Sequence, residues 1–209
     1  MSVADNLLSI LSEVPAGVKL VAVSKFKPAE AIMEAYNAGQ RRFGENRPQE
    51  LAAKAVSLPA DIEWHFIGHL QTNKIKFVIP YATLIESVDS LHLLQAISAA
   101  AVAQGRVVDC LLEVHVAAEE SKGGFTPEEV LSVAASAADY PGVRLCGIMA
   151  MATNTDDMER VRADFRRAHE VQKACGFPEL SMGMSGDWQI ACQEGATIIR
   201  IGSAIFGAR

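Results

Sequence analysis

The chain has 209 residues, 50% of them apolar and 21% charged, a length that suits one domain rather than two and an apolar content too high for a disordered chain. Its 19 Lys and Arg against 25 Asp and Glu leave a formal charge of −6. That balance supplies no basic stripe for a nucleic-acid backbone, while leaving room for a small anion held by a few local donors.

Taken in chain order, the spacing of apolar residues predicts an opening helix over 2–13 with Leu7, Leu8 and Leu11 on one face. A strand over Lys19 to Ser24 follows. Pro28 then suits the first turn of a helix that runs to Ala38, with Gly39 closing it. The pattern repeats, with strands predicted at 41–45, 62–67, 83–88, 109–116, 144–150, 180–184 and 198–202, and helices at 47–57, 72–78, 90–104, 126–138, 155–174 and 187–194. Asp89-Ser90 signals one helix start. Thr126-Pro127-Glu128-Glu129 signals another, with a cap, a proline and acids on the positive end of the dipole.

Continuous apolar strands such as Cys110-Leu111-Leu112 fit a parallel sheet buried on both faces. Strand–helix alternation of this kind gives an α/β fold. Eight strands favour a single (β/α)8 TIM barrel over an open doubly wound sheet, with residues 1–209 forming one domain and an extra helix in front. In such barrels the site chemistry gathers at the C-terminal ends of the strands.

Cys110, Cys146, Cys175 and Cys192 form no C-x-x-C, so reduced thiols serving as small core residues are expected. Residues 1–14 lack the basic and continuously apolar regions of a signal peptide, and no apolar run reaches the roughly 20 residues that span a bilayer. A soluble cytoplasmic protein with no membrane partner is expected. The lack of an evident interface stripe points to a monomer.

Strand ends supply the chemistry. Val23-Ser24-Lys25 places an amine after the first strand, where partial desolvation makes it a nucleophile for a carbonyl. Phe43-Gly44-Glu45-Asn46 ends the second strand. His65 and His69 have the i, i+4 spacing of a metal pair, but Gly68 and the β-rich context make them hydrogen-bonded structural residues, and no metal is expected. Ser181-Met182-Gly183-Met184-Ser185-Gly186-Asp187 joins the seventh strand to a helix, and Arg200-Ile201-Gly202-Ser203 ends the eighth. Small residues there let a backbone approach a ligand, and strands seven and eight are the habitual phosphate site of these barrels. Ser185, Gly186, Gly202 and Ser203 are the expected cradle, with Arg200 beside it. Glu119-Glu120 reads as a solvated loop. No Walker A, G-x-G-x-x-G or nucleophile elbow is present. An aldehyde carrying a phosphate satisfies the amine, the cradle and the arginine together, and pyridoxal 5′-phosphate (PLP) is such a molecule.

At these residues the sequence resembles the pyridoxal-phosphate homeostasis protein family over essentially its whole length. The matching segments are Val21-Ala22-Val23-Ser24-Lys25 with Pro28, Phe43-Gly44-Glu45-Asn46 with Gln49-Glu50, and His65-Phe66-Ile67-Gly68-His69-Leu70-Gln71-x-Asn73-Lys74. Further on come Lys122-x-Gly124-Phe125, Gly147-Ile148-Met149, Leu180 to Ser185 with Asp187, and Arg200-Ile201-Gly202-x-x-Ile205-Phe206-Gly207. The resemblance implies a barrel like the N-terminal domain of alanine racemase. It makes Lys25 the residue that holds PLP covalently as a Schiff base, Ser185, Gly202 and Ser203 phosphate-binding positions, Arg200 the partner of the pyridine nitrogen, and Asn46 a neighbour of the ring. Arg47 stands where the family usually has tyrosine, and His115 where asparagine is common.

An arginine at the pyridine nitrogen disfavours its protonation and so makes a weaker electron sink. A two-base racemase also needs an acid–base group on the opposite face of the ring, supplied in racemases by a second domain and a partner subunit. This chain ends straight after its eighth strand, and Tyr36, Tyr81 and Tyr140 are expected away from the mouth. The reading is a PLP carrier that supplies apo-PLP enzymes without turnover. A PLP-dependent amino-acid racemase or other PLP enzyme, and a barrel enzyme that forms a Schiff base with another aldehyde, are the alternatives.

Overall fold

The computed structural model describes residues 2–117 and 123–207. The expected loop at Glu119-Glu120 and Lys122 of the fourth motif lie outside them. Eight parallel strands close into one barrel in chain order: β1 (Lys19–Val23), β2 (Arg42–Glu45), β3 (Glu63–Phe66), β4 (Ala82–Val88), β5 (Val108–Val114), β6 (Val143–Ala150), β7 (Glu179–Ser181) and β8 (Ile198–Ile201). Pairing of β1 with β8, Lys19 opposite Ile198 through Ala22 opposite Ile201, makes the closing seam. The expected (β/α)8 architecture is therefore the observed one.

Helices cover the outside: α1 (Val3–Glu13), α2 (Ala29–Asn37), α3 (Pro48–Ser57), α4 (Leu91–Val102), α5 (Pro127–Ala135), α6 (Met158–Cys175), α7 (Trp188–Gln193) and a short α8 (Ser203–Phe206). Their starts show why they begin there. Ser2 and Asp5 form a capping box on α1, and Thr126 and Glu129 form another on α5. Asp157 caps α6 by accepting from the N–H groups of Glu159 and Arg160. Gly176, in the left-handed conformation at φ +68, ends that helix.

Several expectations are corrected. In α1 the buried residues are Leu7 and Ile10, flanked by half-buried Val3 and Val14, whereas Leu8 is 54% exposed and Leu11 37%. The helix packs on α2 and α8 along a narrow 4-3-4 stripe, and a broader face finds no partner. Pro28 is the residue before α2 rather than its first turn. Residues 72–77 form a 3₁₀ helix, not an α-helix, since six residues rich in β-branched neighbours and stopped by Pro80 cannot repay α-nucleation. The helix expected to 138 stops at Ala135 because Ser136 turns its hydroxyl onto the carbonyls of Ser132 and Val133, both at 3.2 Å. The seventh strand ends at Ser181, three residues early, where Gly183 adopts φ +93. α8 was not expected.

The core has two parts. A large apolar layer lies between the barrel and the helices. A smaller one, built on Val21, Leu84, Leu111, Met149 and Ile198, lies inside the barrel. At the N-terminal face, ion pairs lace the strand starts: Lys19 with Glu179, Arg42 with Glu63 at 2.8 Å, and Arg144 with Asp109 at 2.6 Å. The C-terminal face is left for the site. None of the described helices is long and apolar enough to cross a membrane. The four cysteines are unpaired; Cys110 is buried in the core, and the other three are half-buried and packed against it.

Candidate functional site

A cavity of about 410 Å³ opens at the C-terminal ends of β1, β2, β3, β6, β7 and β8. All seven residues singled out in the sequence line it: Lys25, Asn46, Ser185, Gly186, Arg200, Gly202 and Ser203. The remaining wall is chiefly apolar, from Val23, Ile67, Met149, Met151 and Met184, with Lys27 and Gly207 at the edge.

Lys25 is set by what lies behind it. Lys54, on α3, donates to the carbonyl of Ser24 at 2.9 Å, to Glu45 Oε1 at 2.8 Å and to Glu50 Oε1 at 2.7 Å. Ser24 Oγ donates to the same Glu45 oxygen at 2.6 Å. The Phe26 N–H donates to Glu50 Oε1 at 2.7 Å. The residues on both sides of Lys25 are thus tied to one acidic–basic cluster. Phe26 sits at φ +62, a left-handed conformation costly for a bulky residue, and the Arg47 guanidinium lies 4.4 Å from its ring centre. Glu45 is fully buried. Burial pushes its pKa up, against the pull of the Lys54 and Ser24 hydrogen bonds, and its Oε2 has no partner.

Asn46 follows directly. A Cβ on Gly68 would stand 2.4 Å from the Asn46 carbonyl oxygen and 2.7 Å from its Cα, so the glycine lets the two strand ends cross closely. The Asn46 Oδ1 is buried and unpartnered, an acceptor at the edge of the cavity awaiting a donor.

Across the cavity, Gly183 lets the loop after β7 turn against α7, where a Cβ would meet that of Ala191 at 2.6 Å. The Met184 N–H donates to Asp187 Oδ1 at 2.6 Å, which fixes the turn carrying Ser185 and Gly186. A Cβ on Gly186 would meet no protein atom within 4 Å, so this backbone stands open to a ligand. The Gly202 N–H points to Ser185 Oγ at 3.4 Å, a long contact that a better acceptor would displace. Arg200 is buried beneath, with Nη1 donating to Ser181 Oγ at 2.5 Å and Nη2 to the Ala150 carbonyl at 3.1 Å.

His65 and His69 do not converge on a shared ion. His65 Nδ1 lies 2.5 Å from Glu86 Oε1 inside the barrel, and His69 Nδ1 lies 2.9 Å from Asp89 Oδ2 in the segments that follow β3 and β4. Neither Arg47 nor His115, the two departures from the family pattern, lines the cavity. Tyr36, Tyr81 and Tyr140 lie toward the N-terminal face, on the last turn of α2 and just before β4 and β6. The sequence reading missed Lys54, Glu86 and Met151, and gave Met149 and Met184 no role in the wall. Lys54 had a signal, four residues after Glu50; the methionines look like any core residue.

An amine, a guanidinium, an orphan acceptor and two Ser/Gly loops in one apolar-walled cavity fit a phosphorylated aromatic aldehyde. The family model for the alanine racemase N-terminal domain matches residues 2–209. The "Pyridoxal phosphate homeostasis protein" of Aquifex aeolicus (strain VF5) is 41% identical over 198 residues, covering 91% of this chain and 87% of that one. The PipY protein of Synechococcus elongatus PCC7942, in a structure without PLP, superposes with a TM-score of 0.92 at 38% identity, over 99% of this chain and 100% of that one; a second PipY structure, with PLP bound, gives 0.90 at 36%, with the same coverage. Alanine racemase from Corynebacterium glutamicum, at 17% identity and a TM-score of 0.78 over 99% of this chain and 61% of that one, shares the fold. The chain belongs to the alanine racemase N-terminal domain family and, within it, to the pyridoxal phosphate homeostasis proteins.

Proposed function

We propose that the cavity holds PLP covalently on Lys25 and gives it up to apo-PLP enzymes without catalytic turnover, the protein acting as a cytoplasmic monomer of one barrel domain. The observation that carries this reading is the convergence of Lys25, Asn46, Arg200 and the Ser185-Gly186 and Gly202-Ser203 loops on one cavity. The PLP-bound relative supports the choice of ligand.

Bound there, PLP supplies an aldehyde that condenses with a primary amine, losing one water, and is freed when water or another amine takes that place. Lys25 presents the amine, held in place through Ser24 and Phe26. Gly186 and Gly202 offer backbone N–H groups to a phosphate, and the hydroxyls of Ser185 and Ser203 add to the cradle. Arg200, in the cavity floor, would hold a ring nitrogen as an acceptor by offering it N–H donors. Asn46 would hold the ring's edge through its unpartnered Oδ1. The placement of all three tyrosines at the far face leaves the mouth without a tyrosine acid–base partner and favours a carrier.

Protein incubated with PLP and reduced with borohydride should carry one phosphopyridoxyl group, on Lys25, by peptide mass analysis. Lys25→Ala should lose the reducible link while keeping weaker PLP binding through the cradle. Loaded protein should hand PLP to an apo-enzyme and leave the chirality of amino acids unchanged. Colourless protein that takes up no PLP would refute the cofactor; racemisation at an ordinary enzymatic rate, on the order of 1 s⁻¹ or faster, would refute the carrier.

A further inference from the structure

The barrel interior carries charge where branched apolar side chains usually sit. Glu86, on β4, is fully buried, and Arg200, on β8, is 5% exposed. They are joined through Ser181 at the end of β7, whose hydroxyl donates to Glu86 Oε2 at 2.5 Å and accepts from Arg200 Nη1 at 2.5 Å. The direct separation between Arg200 Nη1 and Glu86 Oε2 is 3.7 Å. The other carboxylate oxygen is taken by His65 Nδ1 on β3, and Arg200 Nη2 by the Ala150 carbonyl on β6. Five strands thus meet on one buried pair. Taking two charges out of water is costly, and apolar residues of similar volume commonly serve a core as well or better. The pair's presence therefore points to work done where Arg200 emerges, in the floor of the cavity.

We propose that Glu86 is a positioning residue of the cofactor cavity: through Ser181, and braced by His65, it fixes the Arg200 guanidinium and offsets its charge, so that Arg200 offers directed N–H donors instead of a free cation. This inference rests on the reading of the cavity as a PLP site.

The charges facing Arg200 come from several elements: Glu86 on β4, Glu113 on β5, Asp187 after β7, and Lys25, which lines the same cavity. His65 faces Glu86 from β3. Burial pushes the Glu86 pKa up, but the hydrogen bond and charge of His65, the charge of Arg200 and the Ser181 bond outweigh it and hold the group below the usual carboxylate range. Glu86 is therefore negative at neutral pH. A guanidinium has five N–H donors. Ser181 and Ala150 each take one, on Nη1 and Nη2, so the plane is set from behind.

The test uses Glu86→Gln, which keeps the shape and removes the charge. In PLP-loaded protein the midpoint of the pH titration of the visible band should fall by about one pH unit, because an uncompensated Arg200 disfavours a protonated, positive link at Lys25. Ser181→Ala, which removes the bridging hydroxyl alone, should move the midpoint the same way by less. In the apo-protein the Arg200 guanidinium protons should exchange with solvent at least about tenfold faster in Ser181→Ala than in wild type, as loss of the hydroxyl that accepts from Nη1 requires. A wild-type band with an unchanged midpoint in the variants, or unchanged guanidinium exchange, overturns this proposal and leaves the cofactor reading intact. A wild-type protein that gives no band with PLP overturns that reading and the proposal with it. If Glu86→Gln does not fold, Ser181→Ala decides by the same outcomes.

Discussion

Replacing Lys54 by methionine tests the brace behind Lys25. The ammonium makes three hydrogen bonds, two of them to carboxylates, with its side chain 12% exposed and that of Glu45 fully buried. Methionine fills nearly the same volume but leaves Glu45 with one hydroxyl donor, from Ser24, and an orphaned second oxygen. Removing one partner of a buried pair costs about 3–5 kcal/mol. At roughly 2.1 cal/mol/K of unfolding entropy per residue, a chain of 209 residues has about 0.44 kcal/mol/K, so Tm should fall by roughly 7–11 °C near pH 7. The sign with pH follows from Glu45. Its folded pKa already lies above the ordinary value, chiefly through burial, and losing Lys54 raises it further. An acid with a raised folded pKa destabilises the fold when ionised, so the penalty is full at high pH and shrinks as pH falls through the variant's Glu45 pKa. Calorimetric scans of both proteins across pH 4–8 would show the gap closing toward acid. A Tm loss below about 2 °C, under 1 kcal/mol on the same entropy, or a gap independent of pH, would refute the reasoning. Glu45→Gln should then rescue much of the loss in the double variant.

Glu113 gives a second pH effect: burial, reinforced by Asp89, raises its pKa to about 7. The folded state then holds a proton that the unfolded state has released, so its contribution declines as pH rises from the ordinary carboxylate range to 7. Glu113→Gln should flatten that decline by about 2–3 kcal/mol, seen in urea unfolding at pH 5 and 8; identical slopes in both proteins would count against it. Gly68→Ala drives a Cβ into the Asn46 backbone and should cost about 1–3 kcal/mol as an overpacked contact, while weakening PLP uptake more than substitutions on the outer helices do. Thr126→Ala removes the cap of α5 at about 1 kcal/mol, with PLP uptake unchanged; a change in uptake would show that α5 is coupled to the mouth.

Much of this was legible in the sequence because its signals are local. Strand–helix alternation, with capping residues at the starts, is written in consecutive residues, and closure follows from the strand count. Lys25, Asn46, Ser185 and Gly202 stand at strand ends, where the fold exposes whatever residue is there. The Glu86–Arg200 pair was not legible, because it depends on which strands face each other across the barrel. Glu86 and Arg200 are also far apart in the chain, and a lone glutamate in Leu84-Ile85-Glu86-Ser87-Val88 reads as a surface position. The stripe of α1 failed for a related reason: helical periodicity names the residues able to face inward, while the neighbours available decide how many do.

The seam between β1 and β8 has a consequence for synthesis. Lys25 follows the first strand and Gly202-Ser203 the last, and the two strands are hydrogen-bonded neighbours. A ribosome delivers the amine early and the anion cradle only after β8 has emerged. A nascent chain can therefore display the lysine long before β8 emerges, yet it cannot assemble the two-sided grip until the ring of strands is shut. Any ligand held by both sides binds the finished barrel in preference to its precursors, and by mass action it rewards complete closure over every partly wound form.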